Sequence, residues 1–297
     1  MWKRGSLPLL IPALAIVIGL LMLPRREHEP LYRGQPLSHW VLLSRRAIQS
    51  DEADKAISEI GANALPLLMK WIRYELPAWR RKLAKDNHPV LQRFFGPFGT
   101  TKGEFLADAS LYAFKSLGTN AVNAIPELTG LMRNTSAPQT AVRVMGALSE
   151  IGTNGLAPLI SAIQDWKYPL RSWAVVTIAF MPATPTSVTI TTPVLIQCLS
   201  DTNDTRIPPL AAMGLGKNTN APLLAISALT RGLAAAGTGE ELLCATIQSL
   251  GLFGSQATNA LPALTNALID SSFMVRFAAT NAIEKITSKV SASTPAM

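Results

Sequence analysis

The residues with the most evident chemistry form a basic and aromatic cluster between positions 76 and 106. Residues 71–106 contain seven Lys/Arg against three Asp/Glu. Guanidinium groups attract negative charge and stack on aromatic rings, so this mixture suits an anionic or protein surface. We predict a partner-binding site at these side chains: Trp79, Arg80, Arg81, Lys82, Lys85, Arg93, Phe94 and Phe95.

Three interpretations of this segment stay open. The first is structural: a longer helix followed by a packed loop, with Phe94, Phe95 and Phe98 as local core. The second is contact with a protein partner or an anionic lipid headgroup. The third, a nucleic-acid contact, is the least favoured, because residues 107–297 contain 11 Lys/Arg against 10 Asp/Glu. A nucleic-acid-binding body would need an excess of cations to pair with phosphates.

Motifs for catalysis or metal binding are lacking in the sequence. Three His and two Cys in 297 residues leave few ligands or acid–base groups. No Ser/His/Asp arrangement, Gly-rich phosphate loop or His/Cys cluster with ligand spacing occurs. Cys198 and Cys244 lie in apolar stretches and read as small core residues. We therefore expect no cofactor, no metal and no enzyme activity.

The elements that position these residues follow from a recurring pattern. The composition, 48% hydrophobic and 15% charged, excludes a disordered chain. A glycine follows a large apolar residue, and a small residue stands five positions before the glycine. This places small and large side chains on one helix face, and glycine then ends the helix. The pattern occurs at Gly61, Gly118, Gly152, Gly216 and Gly254.

A proline follows each of these glycines by five to eight residues, with Leu or Ile two positions later. Proline is harmless in the first turn of a helix, so each unit predicts a helix, a turn and a second helix. The prolines are Pro66, Pro126, Pro158, Pro222 and Pro262, with Pro193 in the same frame. Around Pro193 the pattern is weaker, since Met181-Pro182 stands where the glycine should be.

The spacing predicts six helix pairs followed by a capping helix. Successive prolines are 60, 32, 35, 29 and 40 residues apart, and the long first interval marks the insert at 76–106. Intervals near 35 residues are typical of two-helix solenoid units. The predicted pairs cover 51–75, 107–134, 139–167, 170–201, 205–236 and 240–270, with the capping helix at 273–289.

The unit of small residue, large residues, Gly, turn, Pro and Leu resembles the HEAT repeat of the armadillo-type α-solenoids, over residues 51–75 and 107–289. The segment Tyr32–Trp40 also resembles a lead-in found before HEAT arrays in bacterial envelope proteins. Within it we expect Ser38 to cap a helix that runs to about Gln49, and Leu37 to pack back on that helix. The resemblance implies an all-α solenoid that binds a protein or peptide partner.

Some proteins that resemble this family are enzymes. Deoxyhypusine hydroxylase uses paired His-Glu motifs to hold iron, whereas His28-Glu29 is the His-Glu pair of this sequence and precedes the repeats. A bilin-lyase-like enzyme on a HEAT scaffold stays open as an alternative, since it has no obvious motif to look for. We expect a non-catalytic scaffold that holds a protein or peptide at a membrane.

The membrane expectation comes from residues 1–30. Lys3 and Arg4 precede an uncharged apolar run at 7–23, which would span about 25 Å as a helix, near the lower limit for a bilayer. We expect an uncleaved anchor with an exported, extracytoplasmic body. A cleaved secretory signal and a buried helix are the alternatives, and the Ala13–Ala15 site lies in the middle of the run. Residues 31–50 then form a linker and cap, 51–289 the solenoid, and 290–297 a disordered tail.

Overall fold

The computed structural model describes residues 28–46, 51–77, 101–218, 221–234 and 239–291. In these ranges the protein is helical apart from one small antiparallel hairpin of β1 (Leu31–Tyr32) and β2 (Gln35–Pro36). The all-α expectation is confirmed for the described residues.

The helices occur in consecutive pairs. A single helix, α1 (Leu37–Arg46), precedes them, and α14 (Phe273–Ser291) follows them. The pairs are α2 (Asp51–Ile60) with α3 (Leu65–Ile72), α4 (Lys102–Leu117) with α5 (Ile125–Arg133), α6 (Pro138–Glu150) with α7 (Leu156–Gln164), α8 (Arg171–Phe180) with α9 (Pro185–Cys198), α10 (Ile207–Lys217) with α11 (Pro222–Ala234), and α12 (Glu240–Leu252) with α13 (Leu261–Ala267).

Four of the turns between paired helices are built in the same way. A glycine leaves the first helix with a positive φ, for example 54° at Gly118, where a side chain would be strained. A short 3₁₀ segment follows, and a proline lies in the first turn of the next helix or shortly after it. The 3₁₀ segments are Gly61–Ala64, Gly118–Ala124, Gly152–Gly155 and Gly254–Ala260.

One proline and one glycine depart from the expected pattern. Gly216 does not end a helix but lies inside α10, pressed against Ser249 of α12. Pro193 lies inside α9, which begins at Pro185 after a capping box formed by Thr184 and Ser187. A Thr cap can start a helix as well as a Gly–Pro turn does, so this pair keeps its architecture without the glycine.

The lead-in forms the hairpin and α1. Arg33 and Gly34 both have positive φ, as a two-residue hairpin turn with the right-handed strand twist requires. Ser38 is not the helix cap, because it is the second residue of α1. Its backbone N–H donates to the Glu29 carboxylate at 2.7 Å. Leu37 is fully buried, and α1 packs on α2 and α4.

The first helices of successive pairs, together with the final helix α14, form one continuous layer, which we call the first-helix layer: α4, α6, α8, α10, α12 and α14. Each packs on the next in chain order. The second helices α5, α7, α9, α11 and α13 each pack on the first helix of the following pair. Contacts between neighbours of this kind build a stack in which each pair stabilises the next.

Small residues let the first helices approach closely. A Cβ atom added at Gly214 would lie 2.6 Å from Ala179 Cβ, and one at Gly216 would lie 2.6 Å from Ser249 Cβ. At Gly251 the added atom would lie 3.1 Å from Ala282 Cα. We call these contacts the small-residue seam, and it runs through α8, α10, α12 and α14.

The expected membrane anchor is corrected by the structure. The apolar run at 7–23 lies outside the described residues, and within them no helix has the length and apolarity needed to cross a bilayer. The membrane-anchored location is therefore not supported. At the other end α14 extends to Ser291, and residues 292–297 lie outside the described part of the chain.

The seam gives a paired stability prediction. We expect Gly214→Ala to lower the free energy of unfolding by about 1–3 kcal/mol, because the new methyl group overpacks a site already in contact with Ala179. The control is Gly130→Ala in α5, where an added Cβ meets nothing within 4 Å. That change should stabilise by about 0.5–1 kcal/mol through helix propensity. Urea denaturation compares the two, and a stabilised Gly214→Ala variant would refute the seam.

Candidate functional site

The partner-binding residues predicted from the sequence lie outside the described residues. This holds for all eight: Trp79, Arg80, Arg81, Lys82, Lys85, Arg93, Phe94 and Phe95. What the structure describes is the two ends of the segment that contains them, residues 73–77 and the start of α4. Helix α4 begins at Lys102, inside the range expected to be insert.

Helix α6 holds both ends of this segment. The Arg143 side chain is nearly buried; its Nε donates to Asp108 Oδ1 at 2.7 Å and its guanidinium donates to the Tyr74 carbonyl at 2.5 Å. The Thr140 N–H donates to Glu75 Oε1 at 2.6 Å. One arginine therefore links the chain before the segment to the helix after it.

A second set of contacts joins the two ends directly. Thr101 caps α4 in a capping box with Glu104, and its hydroxyl contacts the Tyr74 hydroxyl at 3.2 Å. The Tyr74 ring lies so close to Gly103 that an added Cβ would be 2.8 Å from it. Residues 74 and 101 are thus fixed side by side.

The Arg143 contacts give the second prediction. Arg143→Met should cost about 1–3 kcal/mol of unfolding free energy, since it removes the nearly buried guanidinium that donates to the half-buried Asp108 carboxylate and to the Tyr74 carbonyl. Arg206→Met is the matched control, because Arg206 makes an exposed pair with Asp204. Chemical denaturation should show a lower midpoint for Arg143→Met and a midpoint near wild type for Arg206→Met. Equal midpoints would show that Arg143 does not hold the segment.

A groove with exposed apolar side chains lies on the first-helix layer near its carboxyl-terminal end. Helices α10, α12 and α14 enclose a cavity of about 380 Å³ there. We call it the C-terminal groove. Its lining is Met213, Lys217, Gln248, Ser249, Gly251, Leu252, Met274, Phe277, Ala278, Asn281, Ala282 and Lys285.

The apolar side chains of the groove are not used by the core. Met213 is 41% exposed, Leu252 55%, Met274 53% and Phe277 56%. They project from the outward stripes of their helices, whereas the neighbouring Leu215, Leu250 and Ala278 are buried. Apolar side chains clustered on a surface, with polar residues at the edge, are typical of an interaction site.

The exposed apolar surface continues beyond the cavity. Phe180, the last residue of α8, is 40% exposed, and Lys217 Nζ lies 4.0 Å from the centre of its ring. Phe273 is 66% exposed and stacks on Phe277 with ring centres 6.1 Å apart. Four adjacent helices therefore contribute. At about 9 Å between neighbouring helix axes, the strip is roughly 27 Å long.

The charges that line the groove are positive. Lys217 and Lys285 line it together with the neutral amides of Gln248 and Asn281. The Lys285 stem crosses the carboxyl end of α12, since its Cδ would lie 3.7 Å from a Cβ atom at Gly251. Both lysines thus lie towards the end of the groove where α10 and α12 finish.

A second polar cluster, at the loop edge of α8, serves the fold. Arg171 Nε donates to the Ile163 carbonyl at 2.5 Å, and the Arg171 guanidinium pairs with Asp201. Burial alone would raise the pKa of Asp201, but the Arg171 hydrogen bond and the backbone N–H groups of Asp204 and Asn203 lower it overall. Arg171 thus ties α8 to the last turn of α7 and to the loop that follows α9.

The cysteines offer no metal site. Within the described ranges no group of three His, Cys, Asp or Glu side chains is placed to hold a metal ion. Cys198 is buried, and burial raises the pKa of its thiol to about 11. Cys244 lies on the outward stripe of α12 and is partly exposed, so the expectation that it is core holds less well than for Cys198.

The two thiols should differ in reactivity. At pH 8 Ellman's reagent should modify Cys244 at least about tenfold faster than Cys198, because a buried thiol with a raised pKa supplies little accessible thiolate. Cys244→Ser should therefore remove the fast phase, and Cys198→Ser should retain it. A fast phase that persists in Cys244→Ser would contradict the burial of Cys198.

Comparisons with known proteins give a distant likeness among solved structures. No protein-family model matches the chain, and no curated protein matches it. Among solved structures, human deoxyhypusine hydroxylase in complex with glycerol is similar, at 15% sequence identity and a TM-score of 0.37. The alignment covers 96% of this chain and 100% of that chain. A likeness at this level assigns neither an activity nor a ligand.

The expectation that the chain is not an enzyme is corrected by this comparison. The protein of that structure, deoxyhypusine hydroxylase, is an enzyme. The likeness does not establish catalysis. Glu29, from the His28-Glu29 pair of this sequence, instead accepts the Ser38 N–H at the start of α1.

Proposed function

We propose that this chain is a HEAT-like helical scaffold that binds another protein through the C-terminal groove. The observation that carries the proposal is the set of half-exposed side chains of Met213, Leu252, Met274 and Phe277 on three adjacent helices. Covering these side chains would bury apolar surface worth about 25 cal/mol per Å².

The dimensions of the strip support a polypeptide as its partner. A strip of roughly 27 Å matches about eight residues of extended chain or about five turns of helix. Aromatic residues and methionine are enriched at protein interfaces, and this surface provides Phe180, Phe273 and Phe277 beside its two methionines. The near balance of charge in residues 107–297 does not favour nucleic acid.

The proposal is tested with a groove variant and a matched control. We expect Met274→Ser with Phe277→Ser to lose a bound protein by at least about tenfold, since each truncated anchor removes on the order of 1–2 kcal/mol. The control, Leu223→Ser with Leu224→Ser, removes two exposed leucines from α11, outside the groove. Tagged full-length chains are used to capture partners from cells that make the protein, and bound proteins are measured by quantitative mass spectrometry.

Circular dichroism first confirms that both variants remain helical. A protein bound by wild type and by the α11 control, but lost by the groove variant, supports the proposal. Recovery of the same proteins by all three chains would show that the C-terminal groove is not a binding surface.

A further inference from the structure

We infer that the occupant of the C-terminal groove is a protein segment that combines apolar side chains with Asp or Glu residues. Its acidic residues would lie at the end of the groove that contains Lys217 and Lys285. The inference rests on the proposed function and adds the chemistry of the partner.

The two lysines of the groove lie where α10 and α12 finish. Lys217 is the last residue of α10, and Lys285 crosses the end of α12. The exposed apolar side chains of Met213 and Leu252 lie on the same stretch of surface. A partner that covers these apolar groups must also cover the two ammonium groups, and carboxylates are the groups that compensate them.

Two acidic residues on the helices of the groove do not line it. Glu284 precedes Lys285 on α14 but does not line the cavity. Glu241 lies at the amino end of α12, about two turns before Gln248, and is also outside the cavity. Lys217 and Lys285 are therefore the charged residues that line the groove. A bound segment would align with its carboxylates towards the lysines.

The methionine side chains of the groove should allow it to bind segments of different apolar sequence. Met213 and Met274 have flexible thioether side chains that adapt to different apolar shapes. Shape selection is then weak, and the charges contribute a large part of the discrimination between partners. The acidic preference should consequently be visible in an unbiased set of peptides.

The test uses a displayed library of random 16-residue peptides selected on the full-length chain. Binders to the Phe277→Ser variant are removed, so the remaining peptides depend on the groove. We expect these peptides to be enriched in Asp and Glu beside apolar residues. A variant with Lys217→Glu and Lys285→Glu should bind an acidic peptide at least about tenfold more weakly and should select basic peptides instead. Glu241→Lys, at the other end of α12, should leave acidic peptides bound as before.

The possible outcomes separate the two proposals. Peptides that need Phe277 but show no charge preference would overturn the inference and leave the proposed function intact. A library with no Phe277-dependent peptides would overturn the proposed function itself. Binding to phosphatidylglycerol vesicles that is lost in the double lysine variant, with no peptide selected, would assign the groove to lipid headgroups and overturn both.

Discussion

The close approach of neighbouring first helices is the constraint on which the rest of this structure depends. At Gly214, Gly216 and Gly251 a helix lies so near its neighbour that an added Cβ would sit 2.6–3.1 Å from the nearest atom of the facing helix. Such distances leave no room for a side chain, so small residues must occupy the seam. The close approach lets the backbones and the large apolar residues beside the seam pack tightly. The second helices cover one face of the first-helix layer.

The seam also explains why large apolar side chains appear on the surface. Where glycine or alanine forms the packed face of a helix, the large side chains lie on its other faces. On α10, α12 and α14 the outward stripe contains Met213, Leu252 and Phe277. These residues add nothing to the seam and are exposed to water. The same tight packing fixes the backbones of the helices that line the C-terminal groove, which lowers the entropic cost of binding, while the methionine side chains on them stay adaptable.

Much of the fold could be predicted from the sequence, because its signals are local. Gly118 and Pro126 bracket a turn whose geometry depends on a few residues, and the pattern repeats along the chain. The exceptions arose where another local device gives the same result, as with the Thr184 cap before Pro185. Gly216 was read as a helix end, although its role is set by Ser249 of another helix, which local sequence does not reveal.

The site was much less predictable, for a physical reason. Leu250 is fully buried and Leu252 is 55% exposed, yet both lie in one helix and each follows a small residue. Which of them faces outwards depends on the rotation of α12 against α10 and α14, and an error of one residue in the helix start turns that face by about 100°. The cluster around Arg80 is predicted from the number of its charged residues, which can be counted in the sequence. The exposure of a side chain cannot be counted in this way.

The most direct test of the account is photo-crosslinking from the groove in living cells. A benzophenone side chain is placed at Leu252 in the groove and, in a second variant, at Leu223, which is more exposed but lies on α11. If the C-terminal groove binds a protein, position 252 should give a discrete protein adduct and position 223 should give no such adduct. No adduct from position 252, or the same adducts from both positions, would contradict binding at the groove.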